Sequence, residues 1–323
     1  MQIFDKDKVY NFMGVRHIFL AISLVLCLGS VFLLATQGLK FGIDFSGGTL
    51  IQIKYEGEAP ISDIRDRLNG VEGLEGASVT EFGSKEEITI RYSSSNEELS
   101  KDVSSHMEEL LSGTGNFEIR RVDVVGPKVG DELKKSGIMA VVVSLALILL
   151  YLGVRFEWRF AFAAIVSEVH DVLIVMGFIS LTQIDVNLDT LAAILTVVGY
   201  SLNDTIIVFD RIREGVQESK ENELKGVINE SISRTLSRTM LTSLTTLASV
   251  LVLFFFAGDM LRDFSAIVAV GIVVGTASSI FIASQALVWF RFNVAKYREF
   301  LEAKKQRQRE KEKMRAMYEK GIV

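Results

Sequence analysis

Long apolar runs alternate along the chain with a single extended polar stretch. A membrane-spanning helix takes about 20 apolar residues. Six runs reach that length, at roughly 15–36, 133–154, 160–181, 188–209, 238–257 and 264–289. The segment 38–130 separates the first run from the other five, and there the periodicity changes. TLIQIKY (49–55) alternates like a strand, PISDIRDRL (60–68) follows a proline with helical spacing, and ASVTEF (77–82) with EITIRY (87–92) reads as a hairpin across GSKE. NEELSKDVSSHMEELL (96–111) has the stripe of an amphipathic helix, and FEIRRVDVV (117–125) closes as a strand. The order β-α-β-β-α-β predicts a ferredoxin-like sandwich, and about 90 residues suffice for one small core.

Composition agrees with several spans: 49% of residues are hydrophobic and mean hydropathy is +0.32. The lone cysteine, Cys27, forms no intramolecular disulfide. The first run is longer than a signal-peptide core and has no clear cleavage site, so it reads as a retained anchor. Lys and Arg collect on one side: Lys6, Lys8 and Arg16 before run one, Arg155 and Arg159 between runs two and three, and Arg211, Arg213, Lys220, Lys225 and Arg234 between runs four and five. The segment after run six carries eleven more, a basic helix suited to anionic lipid headgroups. The opposite turns carry almost none, so both termini are expected in the cytoplasm and 38–130 outside it. The expected divisions are 1–37 (N-terminus and first span), 38–130 (outer domain), 131–290 (five-span bundle) and 291–323 (basic tail).

Several polar residues interrupt the spans. Run three carries Ser167, Glu168, His170 and Asp171 on one half of a helix. Charges at membrane depth cost roughly 2.5–3.5 kcal/mol on insertion scales, and intramembrane acids point first to function. The readings are an ion or proton site and a structural polar lock. Run four carries Asp204 toward its inner end, about 24 Å along the helix, with Gly199, Ser201, Asn203 and Thr205 around it. Run five places Arg238, Thr242, Thr245 and Ser249 on one face, either a water-lined stripe leading from an arginine or hydroxyls bonded to their own backbone beside a snorkelling cation. In run six, Gly271 and Gly275 form a GxxxG packing motif. There is no GxxxxGK[ST] phosphate loop, HExxH or GxSxG, and the three histidines are scattered, so no ATP, metal or hydrolase site is expected. For the basic tail, ribosome or nucleic-acid binding is the minor reading beside anionic lipid, and no nucleic-acid partner is expected.

FGIDFSGGT (41–49), VVGPKVGDEL (124–133), His170–Asp171–Val172, GYSLNDTIIVFDRIRE (199–214), LSRTMLTSLTT (236–246) and GTASSIFIAS (275–284) occur in this order. Together they resemble the SecF family of protein-export subunits, related to the resistance-nodulation-division exporters. The resemblance implies a polytopic α-helical inner-membrane protein with six transmembrane helices and a ferredoxin-like α+β extracytoplasmic domain. It further implies a non-enzymatic role with a separate SecD partner. That role is to use the proton motive force to promote preprotein export through the SecYEG channel after the step driven by the SecA ATPase. The gradient would then stand in for a cofactor. By motif match, Asp204, Arg238, Asp171 and His170 carry proton coupling, with Asn203, Gly199, Thr242, Thr245, Gly271 and Gly275 in support. Glu168 departs from the family pattern. On this reading Asp204 alternates between protonated and ionised forms beside Arg238, and the outer domain hinges near 38–48 and 126–130, where glycines cluster. The alternatives are a small-molecule exporter half of the same superfamily, a structural assembly subunit, and an intramembrane aspartyl protease, against which the missing GxGD pattern argues.

Overall fold

The structure is a computed structural model, and it describes residues 8–71, 74, 77–92, 103–219, 221 and 223–319. The outer domain is a four-stranded antiparallel sheet with two helices on one face. Strands β1 (Gly48–Tyr55), β2 (Ser78–Phe82), β3 (Ser84–Tyr92) and β4 (Phe117–Val125) lie in the order β2-β3-β1-β4. This is the ferredoxin-like arrangement. The alternation read from the sequence sets the register: Ile51 stands opposite Ile90 and Ile53 opposite Ile88, all four fully buried. They pack beneath α3 (Ile61–Asn69) and α4 (Val103–Leu110), which supply Ile64, Leu68 and Met107. The first half of the expected second helix, 96–102, lies outside the described residues. The hairpin turn is tighter than GSKE, because Gly83 takes φ +70° and β3 already begins at Ser84.

Among the described residues, six helical stretches are long and apolar enough to cross a membrane. These are α1 (Phe12–Thr36), α5 (Pro127–Arg155), α6 (Trp158–Thr182), α7 (Leu188–Glu218), α8 (Leu224–Phe256), and a last stretch running through α9 (Asp259–Ser278), a π-helical turn (Ser279–Ala283) and α10 (Ser284–Trp289). α6, α7 and α9 form the interior, while α1 and α5 expose most of their apolar surface, as lipid-facing helices do. The polar connection expected over 211–237 is instead mostly helix. α7 and α8 both run beyond their apolar windows, α7 to Glu218 and α8 from Leu224. Gly215 abuts Ser231 there, with no room for a Cβ between them. Charged residues of good helix propensity continue a helix into water without an apolar signal.

The remaining helices are α2 (Ile43–Ser46), not expected from the sequence, and α11 (Val294–Glu319), the basic tail. Arg298 of α11 donates to the carbonyls of Val216, Ser219 and Glu221, at 2.5, 2.8 and 2.8 Å, and so satisfies acceptors at the end of α7.

The junction between outer domain and bundle is tightly built. Gly47 (φ +72°) and Gly48 (φ +127°) take conformations that disfavour any side chain. A Cβ on Gly47 would sit 2.8 Å from Pro127 Cα, one on Gly48 2.7 Å from the Tyr92 carbonyl, and one on Gly130 2.9 Å from Gly47 N. These glycines lock the strand against the start of α5. The expected hinge therefore retains only Gly38 and Gly126, around which there is open space.

Candidate functional site

A layer of buried polar groups crosses the bundle between two apolar clusters. One cluster gathers Phe160, Phe209 and Leu287, and the other Val175, Val197 and Ile272. Asp171 on α6 is fully buried at the centre. Its Oδ2 accepts from Ser201 Oγ on α7 (2.5 Å) and from Ser278 Oγ on α9 (2.6 Å). Its Oδ1 lies 2.8 Å from Nδ1 of His170, whose Nε2 lies 2.5 Å from Ser23 Oγ on α1. An imidazole protonated at Nδ1 donates to Asp171 and accepts from Ser23. One carboxylate thus ties four helices together through hydroxyls and an imidazole.

Asp204 lies one turn along α7 from Ser201 and is equally enclosed, at 1% exposure. Ser243 Oγ on α8 donates to its Oδ2 at 3.4 Å, and Thr276 Oγ1 on α9 donates to Ser243 at 2.8 Å. Asp204 Oδ1 has no hydrogen-bond partner among the described residues. The geometry around the two acids therefore differs: Asp171 is saturated with donors, whereas Asp204 holds one long hydrogen bond.

Close helix approach creates this layer. A Cβ on Gly275 would meet Ser201 Cβ at 2.9 Å, and Gly271 sits directly against Val197. The GxxxG pair thus brings α9 onto α7, and Ser278, one turn further, reaches Asp171. The π-helical turn follows at once, and such turns occur often at functional sites.

The other expected site residues lie elsewhere. Arg238 does not meet Asp204. It is exposed, and with Asp210, Arg211, Glu214 and Arg234 it lines a cavity of about 370 Å³ bounded by α5, α7 and α8. Thr242 and Thr245 share its exposed face, and their hydroxyls bond backward to the helix's own carbonyls. The face of α8 turned inward is the neighbouring one, Thr239 and Ser243. Asn203 and Gly199 are exposed on α7. Ser23, Ser243, Thr276 and Ser278 were not identified as site residues from the sequence. Ser243 does follow Thr239 by four, which marks a second hydroxyl stripe on α8.

A second polar assembly joins the outer domain to the helix carrying Asp204. Gly42 N–H donates to Val186 O (2.8 Å), Val186 N–H donates to Lys40 O (2.7 Å), and Asp44 Oδ2 accepts from Leu188 N–H (3.0 Å). Asn187 Oδ1 caps the same helix start through Thr190 N–H (2.8 Å). Asp185, in the turn between α6 and α7, pairs with Arg91 of β3 and with Lys40 (3.2 Å). Burial pushes the Asp185 carboxyl up. The Arg91 hydrogen bond and the charges of Arg91 and Lys40 outweigh it, leaving the group below the usual carboxylate range. Beside this contact the bare face of the sheet and the helix ends enclose a polar cavity of about 450 Å³.

Comparison with known proteins places this architecture. Residues 106–293 match the family model described as protein export membrane protein SecD/SecF, C-terminal, and residues 32–59 match the SecD/SecF GG motif. The chain belongs to the SecD/SecF protein-export family. Protein translocase subunit SecF of Helicobacter pylori is 42% identical over 323 residues, covering 100% of both chains. That of Pseudomonas aeruginosa is 45% identical over 88% of this chain and 92% of its own. The crystal structure of SecDF, a translocon-associated membrane protein from Thermus thermophilus, is 36% identical with a TM-score of 0.81, over 90% of this chain. A SecDF structure in a super-membrane-facing form aligns with a TM-score of 0.66 over 94%. The chain spans 40% of the first SecDF chain and 41% of the second. It is accordingly a multi-pass membrane protein of the SecF type. The family's GG motif is Gly47–Gly48, the pair that admits no Cβ at the domain junction.

Proposed function

We propose that the chain works with a SecD partner to draw preproteins outward from the SecYEG channel, using the proton gradient across the bacterial inner membrane after SecA has spent ATP. The observation that carries this reading is Asp204: a carboxyl enclosed at membrane depth, with one oxygen unpartnered and no cation paired with it among the described residues. Such a group is poised to take up and release a proton as its surroundings change. Asp171 and His170 extend the path along α6. The GG junction connects this bundle to the outer domain, since Asp44 and the Lys40–Val186 contacts hold the start of the helix that bears Asp204.

The unfilled faces support a SecD partner. Ala192, Thr196, Gly199 and Asn203 form an exposed stripe of small and polar residues on α7, and Arg238, Thr242 and Thr245 form one on α8. Small residues let a second helix approach closely. In this reading Arg238 serves an acid of the partner rather than Asp204, with both termini in the cytoplasm.

Export into inverted membrane vesicles, with the proton gradient intact or collapsed, tests the proposal. The part of export that depends on this chain should vanish when the gradient is collapsed while ATP-driven entry continues. A chain-dependent part that survives collapse would contradict proton coupling.

A further inference from the structure

Glu168 has no place in the network described above, yet it is among the most enclosed polar side chains in the molecule, at 1% exposure. Neither carboxyl oxygen has a hydrogen-bond partner in good geometry among the described residues, and the nearby Ser201 hydroxyl is already given to Asp171. Its own chain seals it, so no partner subunit reaches it. It lies three residues before Asp171 on α6, which puts the two Cβ atoms about 5–6 Å apart on one face. The neighbouring Ser167 Oγ, and Thr205 Oγ1 on α7, are likewise buried and unpartnered.

Among the described residues, the ionisable groups around it do not supply a counter-charge. On α6 they are His170 and Asp171, themselves paired. On α7 they are Asp204 and Tyr200. On α1 they are Cys27 and, toward the start of the helix, Arg16 and His17, with Nε and Nη1 of Arg16 also unpartnered. The stretch 264–290 through α9, the π turn and α10 offers hydroxyls and Gln285 but no titratable group, and the span of α5 has its charges near its ends. An ionised carboxylate without donor or cation in a low-dielectric interior costs several kcal/mol. Asp171 by contrast accepts from two hydroxyls and faces an imidazole nitrogen, partners that Glu168 lacks.

We propose that Glu168 is a second proton-holding carboxyl of this bundle, neutral at rest, and that it exchanges its proton with Asp171. In the exchange the Glu168 O–H bond breaks and an O–H bond forms on Asp171. The single negative charge of the pair passes from Asp171 to Glu168, and nothing else is consumed. Asp171 then loses the charge that holds Ser201, Ser278 and His170, so proton position and helix contacts change together. The resting protonation stands on the geometry of Glu168 alone. Its use in export rests on the proton coupling proposed above.

Infrared spectroscopy of the full chain, co-purified with its SecD partner and reconstituted in liposomes, separates the two. The wild type should show the carbonyl stretch of a neutral carboxylic acid at neutral pH. The Glu168→Gln variant should lose that band, Asp204→Asn should retain it, and Glu168→Asp should shift it. A band unchanged in both Glu168 variants overturns the proposal. In export assays Glu168→Gln should shift the pH profile of the gradient-driven part, whereas Glu299→Ala, at an exposed acid of the tail, should not. Loss of the band with an unmoved pH profile would overturn the exchange with Asp171. A chain whose export proved independent of the gradient would leave the infrared result standing by itself.

Discussion

Asp171 and Asp204 sit within one turn of each other in depth, yet their surroundings ask different things of them. Asp171 accepts from Ser201 and Ser278 and faces His170, so removing it deprives Ser201 and a largely buried imidazole of their acceptor and leaves Ser278 only the Gly275 carbonyl. Asp171→Ala should therefore cost about 3–5 kcal/mol of bundle stability, seen as a lower melting temperature in detergent and weaker membrane accumulation. Asp204→Asn removes one long hydrogen bond and should leave folding nearly unchanged. Gly275 tolerates no enlargement, because Ser201 already lies within 2.9 Å of where a Cβ would stand. Gly275→Val should separate α9 from α7, and loss of the Ser278–Asp171 contact should appear as destabilisation of about 1–3 kcal/mol. At the outer surface Asp185 answers to pH. Its carboxyl is depressed in the folded state, so the stabilisation it adds is complete above the unfolded value near 3.9 and disappears as pH falls through the lower folded value. Asp185→Asn should weaken docking of the outer domain at neutral pH, read as faster proteolysis near the junction, and that difference from wild type should close in strong acid.

At the scale of elements, the two stripes of α8 explain what was legible in the sequence and what was not. Thr239 and Ser243 face the interior, while Arg238, Thr242 and Thr245 face outward, one residue round the helix. Both stripes have helical spacing, and spacing alone does not say which one the neighbours cover. An arginine drew attention to the outward stripe, and the inward one reaches Asp204. The strand order of the outer domain, by contrast, was legible because alternation fixes which face is buried and two short helices had to cover it. The six spans were legible from length. The extensions of α7 and α8 were not, since a polar helix and a polar loop look alike to a hydropathy window. Nor was the four-helix ligation of Asp171, because Ser23, Ser201 and Ser278 carry no mutual spacing. If the outward stripes of α7 and α8 are the SecD contact, Gly199→Trp or Thr245→Trp should abolish co-purification of SecD and leave the isolated chain folded.

The whole molecule is a helical bundle with an enclosed carboxyl layer, joined to a small outer domain at one compact junction. Asp44 and the Lys40–Val186 contacts grip the start of α7, and Arg298 grips its end. A change at Asp204 is therefore made on a helix held at both ends, and movement of that helix must be felt by the outer domain. In an Arg91→Cys, Asp185→Cys variant, a short reducible cross-linker between the two thiols would fasten the domain to the bundle and should slow export, with recovery on reduction. The most direct measurement is gradient-dependent export by Asp204→Asn in membrane vesicles with SecD assembly confirmed equal to wild type. The account predicts loss of the gradient-dependent part with the ATP-driven part intact. Full retention of gradient dependence would contradict it and leave Asp204 a structural residue.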